Sequence, residues 1–154
     1  MADIIQQGDS CYHSAHMGKG NGSLVVKRTS AGLGLFTLRA IPRNRRVVEY
    51  IGPILTSEEV ERRAGKYFFE LDARRAIDGS SRENIARYIN HSCRPNARGY
   101  TTGNRIWIWS LREIKAGEQI TIDYGESYFN EHIRPVGCKC EACASRPKSG
   151  SKKR

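Results

Sequence analysis

Short apolar runs separated by glycine, proline and polar turns make up most of the chain. Strand-like patterns cover residues 24–27, 45–51, 67–71, 74–77 and 119–124 and the apolar run after Gly34. Residues 105–111 follow a turn at Gly103 and Asn104 and carry β-branched and aromatic residues on both faces, which predicts a buried strand. The pattern therefore predicts a mainly β (β-rich α+β) domain.

Two segments have helical patterns. Thr56 can cap a helix in which Glu59 reaches back to the cap, and Gly65 ends this helix early. Residues 81–89 also show helical apolar spacing. We expect two short helices among the strands. A chain of 154 residues is long enough for one compact domain and too short for two well-packed ones.

Charge and composition divide the chain. The net charge is +10, and the last ten residues hold five basic residues and no acidic one. Such a basic tail at residues 146–154 suggests contact with DNA or nucleosomes, with a mere solubility tail as the alternative. Residues 1–22 are predicted to be a flexible arm. In this arm, Cys11, His13 and His16 could form a second ligand group or be a coincidence.

The sequence lacks the signals of a membrane-spanning or a secreted protein. No apolar run approaches the roughly 20 residues that span a bilayer, and the first residues lack a signal-peptide pattern. We expect an intracellular protein without membrane contact, in the nucleus or on the chromosome if eukaryotic and in the cytoplasm if prokaryotic.

The cysteines suggest a metal site. There are five, and Cys138, Cys140 and Cys143 form a C-x-C-x-x-C motif. Three thiolates can bind one tetrahedral zinc and leave its fourth position open or filled from elsewhere in the chain. The alternative is a set of exposed or redox-active thiols.

Five motifs occur in a fixed order. They are GLG at 32–34, EYIG at 49–52, RYINHSCRPN at 87–96, GEQITIDYG at 117–125 and CKCEAC at 138–143. This arrangement closely resembles the SET-domain protein lysine methyltransferases that carry a post-SET zinc element. The resemblance implies a SET-domain β-clip fold over residues 23–125, in which segment 90–96 passes beneath a loop as a pseudoknot. It also implies a zinc-bound post-SET element over residues 126–145.

The resemblance carries over a ligand set and a cofactor. Cys93 would join the three later cysteines in one closed structural zinc site. The cofactor would be S-adenosylmethionine, with S-adenosylhomocysteine as product. Its binding residues would be Gly32, Leu33, Gly34, Tyr67, Arg87, Tyr88, Asn90, His91 and Tyr124. For Tyr67 and Tyr88, an ordinary core role is the alternative.

The expected chemistry is methyl transfer to a lysine amine. A free lysine has a pKa of about 10.4, and burial in an apolar channel favours its neutral, nucleophilic form. By resemblance, Tyr124 and Tyr50 are the catalytic residues. The lysine channel would be lined by Tyr50, Ile122, Tyr128 and Phe129. Ile122 stands where the family usually has Phe or Tyr, which favours higher methylation.

The sequence thus predicts an S-adenosylmethionine-dependent protein lysine N-methyltransferase that acts on a histone or another basic DNA-associated protein. One alternative is a non-catalytic, zinc-stabilised module that binds nucleic acid or chromatin. Another is a methyltransferase of a non-histone cytosolic protein. No cysteine-rich region precedes residue 24, so substrate recognition would rest on the SET surface, the arm or the tail.

Overall fold

The computed structural model describes residues 22–63 and 65–145, which contain ten β-strands in four small sheets. The strands are β1 (Leu24–Thr29), β2 (Gly32–Thr37), β3 (Arg46–Tyr50), β4 (Ile54–Thr56), β5 (Phe68–Asp72), β6 (Arg75–Asp78), β7 (Asn90–His91), β8 (Ala97–Thr102), β9 (Arg105–Ser110) and β10 (Thr121–Ile122). β1 and β2 form an antiparallel hairpin. The orders β3-β9-β8 and β4-β6-β5 give two antiparallel three-stranded sheets, and β7 pairs with β10 in parallel. The mainly β fold class is confirmed.

The helices are short. They are α1 (Ser57–Arg63), a 3₁₀-helix (Ile85–Tyr88), α2 (Glu126–Tyr128), a π-helical turn (Phe129–Ile133), a 3₁₀-helix (Arg134–Val136) and α3 (Glu141–Ala144). The predicted capping box is confirmed at α1. The Thr56 amide donates to the Glu59 carboxylate at 2.8 Å, and the Glu59 amide donates to the Thr56 hydroxyl at 3.4 Å.

The hydrophobic core lies where the inner faces of the sheets meet. β9 contributes Ile106 and Ile108, both without exposed surface, and β2 contributes Leu35, which is equally buried. Ile120, directly before β10, and Ile122, at its end, pack into the same cluster. The core therefore holds the inner face of the β3-β9-β8 sheet against the segment that leads to Tyr124.

Three predictions about elements need correction. Residues 81–89 form only one 3₁₀ turn, because the chain leaves the helix at Ile89 with extended φ and ψ to enter β7. The segment 105–111 is buried on one face only, since Trp107 and Trp109 lie on the half-buried outer face. The last strand shrinks from 119–124 to two residues, Thr121–Ile122. Sequence patterns also missed β4 and β8.

The parallel pair β7–β10 brings segment 90–96 against residues 119–122. The Ser92 amide donates to the Ile122 carbonyl at 2.9 Å. The side chain of buried Asn96 donates to the Gln119 carbonyl at 2.7 Å and accepts from the Thr121 amide at 2.9 Å. This proximity of distant segments is what the expected pseudoknot requires.

The structure does not test the predictions for the two ends of the chain. Residues 1–21 of the predicted flexible arm, with Cys11, His13 and His16, and the basic tail at 146–154 lie outside the described residues. The boundaries at residues 23, 125 and 145 stay predictions. Within the described ranges, no helix has the length and apolar character to cross a membrane.

Candidate active site and metal centre

The glycine loop at the start of β2 is fixed by Asn90. The Asn90 carboxamide donates to the Leu33 carbonyl at 2.9 Å. Gly32 has φ +110°, and a Cβ there would meet no atom within 4 Å, so the loop faces open space. At Gly34, a Cβ would lie 2.5 Å from Nε2 of Gln119. Gly32 therefore leaves room for a ligand at the loop, whereas a side chain at Gly34 would displace the Gln119 carboxamide.

Tyr124 follows β10, and its hydroxyl donates to the Ile89 carbonyl at 2.7 Å. Burial raises the pKa of Tyr124 well above its ordinary value, and the neighbouring phenols of Tyr128, Tyr50 and Tyr67 raise it further. The phenol therefore stays protonated. Because its proton is directed at Ile89, the oxygen lone pairs remain available to accept a hydrogen bond from another group.

Tyr50 lies beside the same group of phenols. Its hydroxyl donates to the Tyr67 carbonyl at 2.8 Å, and the Gly79 amide donates to that carbonyl at 2.8 Å as well. Burial raises the pKa of Tyr50 well above its ordinary value. A Cβ on Gly79 would lie 2.4 Å from the Tyr50 hydroxyl oxygen, so only glycine leaves the phenol in place.

Asn84 holds these segments together, and sequence analysis missed it. Its side chain is fully buried. Oδ1 accepts from the Ile51 amide at 3.2 Å, and Nδ2 donates to the Gly79 carbonyl at 3.2 Å. A lone asparagine in a polar stretch gives no signal, because its importance comes from the distant backbone groups that it joins.

Arg87 places a cation at the edge of the phenol group. Its guanidinium lies 4.0 Å from the Tyr67 ring centroid and 5.5 Å from that of Tyr88. One terminal nitrogen donates to the Ser80 carbonyl. Its Nε is buried and has no hydrogen-bond partner among the described residues. A donor left without an acceptor in this way suits a site that a ligand completes.

The four predicted cysteines converge. The sulfurs of Cys93, Cys138, Cys140 and Cys143 all lie within 4.8 Å of one another. The Cys93 sulfur is 3.6 Å from that of Cys143 and 3.9 Å from that of Cys138. Tetrahedral zinc with Zn–S bonds of about 2.3 Å needs sulfurs about 3.8 Å apart. The donor set therefore fits a closed four-thiolate zinc site.

Hydrogen bonds prepare one thiolate in this cluster. Burial opposes ionisation of Cys140, but the amides of Cys93 and Cys143 outweigh it and lower its pKa to about 6. Burial raises the pKa of Cys93, whose thiol also lies among three other sulfurs. A divalent cation at the centre would favour the thiolate form of all four.

The comparison with known proteins decides the family. The SET domain matches residues 32–125, more than half of the chain. The chain belongs to the SET-domain family. Histone-lysine N-methyltransferase SUV39H2 of Xenopus tropicalis is 34% identical over an alignment 157 residues long, gaps included, which covers 80% of this chain and 38% of the relative. Histone-lysine N-methyltransferase Set2 of Drosophila melanogaster is 36% identical over 135 residues, covering 79% of this chain and 6% of the relative. The chain thus spans well under half the length of these relatives.

The segment after Gly125 packs against the SET domain through aromatic rings. The Tyr128 ring meets that of Tyr124 edge-on, with centroids 5.2 Å apart, whereas Phe129 lies 5.2 Å from the His91 ring. Of the two residues predicted to complete the channel wall, Tyr128 is therefore the one beside the catalytic candidate. Ile122 is buried in the core cluster against which Tyr124 packs.

His91 links the phenol to the cysteine cluster. Its Nδ1 accepts from the Tyr124 amide at 3.2 Å, and its Nε2 lies 3.4 Å from the Cys93 sulfur. Because Nδ1 is an acceptor, the proton of the neutral ring lies on Nε2 and points to that sulfur. Burial lowers the pKa of His91, against the opposing effect of Asp123. The ring is thus occupied by protein contacts, and a cofactor contact of His91 would use its backbone.

Proposed function

We propose that this SET-domain protein is an S-adenosylmethionine-dependent protein lysine methyltransferase. One observation carries the proposal. The protonated Tyr124 phenol is anchored at 2.7 Å on the Ile89 carbonyl, directly before Asn90, whose carboxamide holds the open Gly32 loop. A lysine channel and a cofactor cleft would therefore meet at this phenol. The names of the relatives support the same activity.

The chain offers a set of groups that fits the cofactor. Gly32 leaves space at the loop, and the unpartnered Nε of Arg87 would gain an acceptor. The residues that would hold it are Gly32, Leu33, Gly34, Tyr67, Arg87, Tyr88, Asn90, His91 and Tyr124. The bound cofactor would supply a methyl group that its positive sulfur has already activated.

The protein's own task is to keep the lysine amine neutral and aligned. An apolar channel disfavours the ammonium form, and Arg87 at its edge adds a repulsive positive charge. The lone pairs of Tyr124 and Tyr50 can accept the amine hydrogens, because both phenols donate their own protons to backbone carbonyls. Fixing the amine in this way lowers the entropic cost of the in-line transfer.

We propose a histone or another basic DNA-associated protein as substrate. Ile122 belongs to the buried cluster that includes Tyr50 and against which Tyr124 packs, and it has no hydroxyl that could hold a water molecule in the proposed channel. The extra space favours a di- or trimethylated product over a monomethylated one. A nuclear, chromatin-bound location and a DNA or nucleosome contact of the basic tail belong to the same proposal.

Radiolabelled methyl transfer to core histones tests the activity, and mass spectrometry of the product counts the methyl groups. We expect Tyr124→Phe to lower transfer by about 10²–10³-fold, a loss typical of removing one preorganised polar group. Tyr100→Phe is the matched control, because Tyr100 is exposed on β8 and should leave transfer unchanged.

Calorimetry separates the possible outcomes. Wild type and Tyr124→Phe should both bind S-adenosylmethionine, since the loop and Asn90 are intact in the variant. Equal transfer by both proteins would refute the role of Tyr124. Failure of the wild type to bind S-adenosylmethionine, together with salt-dependent nucleic-acid binding, would instead support the non-catalytic module.

A further inference from the structure

The outer face of the β3-β9-β8 sheet lies on the other side of the sheet from the core. Residues of β9 alternate strictly, with Ile106 and Ile108 buried and Trp107 and Trp109 on the outer, half-buried side. Opposite Trp109, the register places Arg46 on one neighbouring strand and Arg98 on the other. We call this surface, formed by Arg46, Arg98, Arg105, Trp107 and Trp109, the Arg-Trp face.

The Arg-Trp face carries an excess of positive charge. Its acidic neighbour Glu49 is bound through both carboxylate oxygens by Arg105, at 2.6 and 2.7 Å, so this pair is neutral. Arg46 and Arg98 are exposed, and neither forms an ion pair with any described residue. Two uncompensated guanidinium groups therefore flank the tryptophans.

Stacking orients these cations. The Arg46 guanidinium lies 4.8 Å from the Trp107 ring centroid and 5.6 Å from that of Trp109. Arg105 lies 4.8 Å from Trp107. Glu49 occupies the N–H edge of Arg105, whereas the N–H edge of Arg46 has no acceptor among the described residues and suits the oxygens of a phosphate.

The positive charge continues beyond the sheet. Arg39, Arg43 and Arg45 are exposed in the segment that leads into β3, and within the described ranges they too lack ion pairs. Arg39, Arg45 and Arg46 line a cavity of about 420 Å³ at this end. Through Arg46 the Arg-Trp face thus adjoins further exposed positive charge, which favours a partner with several phosphates over a single anion.

We propose that the Arg-Trp face binds a single strand of nucleic acid. Arg46 and Arg98 would contact its phosphates, and unpaired bases would stack on Trp107 and Trp109 in the place that the Arg46 guanidinium takes in the free protein. A basic groove with aromatic platforms is the general solution for single strands, because every base offers a flat face. The bases of a duplex are stacked on each other and cannot use the tryptophans. The proposal is independent of the methyltransferase activity.

The sequence supplies an internal probe. The chain has two tryptophans, and both lie on the Arg-Trp face. Titration of the full chain with an oligothymidylate of about 12 nucleotides should therefore quench the intrinsic tryptophan fluorescence in a saturable way. A duplex of the same length and polyglutamate are the comparison polyanions, and both should bind more weakly.

Two variants test the assignment by fluorescence and by anisotropy of a labelled oligonucleotide. Arg46→Gln/Arg98→Gln should weaken binding at least about tenfold at 50 mM salt and reduce the salt slope by about 1.4, because each single-strand contact contributes about 0.7. Arg62→Gln/Lys115→Gln removes the same charge from exposed positions elsewhere and should have little effect. Thermal unfolding confirms that each variant is folded.

The basic tail needs its own control, so each Lys and Arg in residues 146–154 is replaced by Gln in the full chain. Tryptophan quenching should survive this change. The proposal is overturned if oligothymidylate causes no saturable quenching, or if the duplex or polyglutamate binds as tightly. It is equally overturned if binding depends on the tail and is indifferent to Arg46 and Arg98.

Discussion

Asn84 joins two backbone segments of the candidate site, and its replacement tests how far the site depends on one buried carboxamide. Asn84→Ala would leave the Ile51 amide and the Gly79 carbonyl without their partners. The Gly79 carbonyl is buried, so leaving it without a hydrogen-bond donor costs about 1–3 kcal/mol. Leaving the partly buried Ile51 amide without an acceptor adds about 1 kcal/mol. We expect the free energy of unfolding to fall by about 2–4 kcal/mol.

Urea denaturation at neutral pH measures this change. Asn104→Ala is the matched control, because the Asn104 carboxamide accepts from exposed Arg75 at 2.9 Å and its loss should cost less than about 0.5 kcal/mol. A cost below about 1 kcal/mol for Asn84→Ala would refute the reasoning. Methyl transfer should also fall, because Gly79 and the Tyr50 hydroxyl share the Tyr67 carbonyl.

Asn84→Asp separates the two hydrogen bonds. The substitution keeps the acceptor for Ile51 and puts an oxygen opposite the Gly79 carbonyl at 3.2 Å. Burial and this repulsion should raise the pKa of the new carboxyl above its unfolded value. The native state then favours the protonated form, which can donate to Gly79, so the destabilisation should be greatest at pH 7 and shrink as the pH falls. A destabilisation that grows with acidification would contradict this.

Three further predictions concern charge, metal and capping. The hydrogen bond from Arg112 lowers the pKa of Glu118 from 4.5 to about 2. The ionised Glu118 therefore stabilises the fold above pH 4.5, and this contribution is lost as the pH falls towards 2. Arg112→Gln should therefore lower the unfolding free energy at pH 7 but not near pH 2, and an equal loss at both would contradict the assignment. Mass spectrometry of metals should find one zinc per chain, which Cys143→Ser loses and the control Cys11→Ser keeps. Thr56→Ala should cost about 1 kcal/mol in urea denaturation, whereas Thr56→Ser should cost far less.

The sequence predicted those parts of the site that come in local motifs. Asn90 and Tyr124 each lie in a contiguous motif, so each motif could be recognised as similar to the family without knowledge of the rest of the fold. Asn84 and Gly79 lie in a polar stretch, and their roles depend on Tyr50 and on the backbone at Ile51. Such roles are defined by long-range contacts, which a sequence pattern does not contain.

The fold was predictable to a similar extent. Strands with strong apolar character, such as Arg105–Ser110, were found, although the half-buried outer face was misread as buried. Ala97–Thr102 has no apolar alternation, because its inward positions hold small residues that pack on β9 and on Phe69. Its strand conformation comes from pairing with β9. The sequence of residues 97–102 alone therefore does not predict a strand.

The cysteine cluster and the phenol cannot be positioned independently. Cys93 stands two residues after His91, whose ring accepts the Tyr124 amide and approaches the Cys93 sulfur at 3.4 Å. From the other side, the segment that supplies Cys138 also supplies Tyr128, which packs on Tyr124 at 5.2 Å. A metal that fixes the four sulfurs would therefore hold both walls of the proposed lysine channel, so its loss should lower methyl transfer even where the core sheets remain folded.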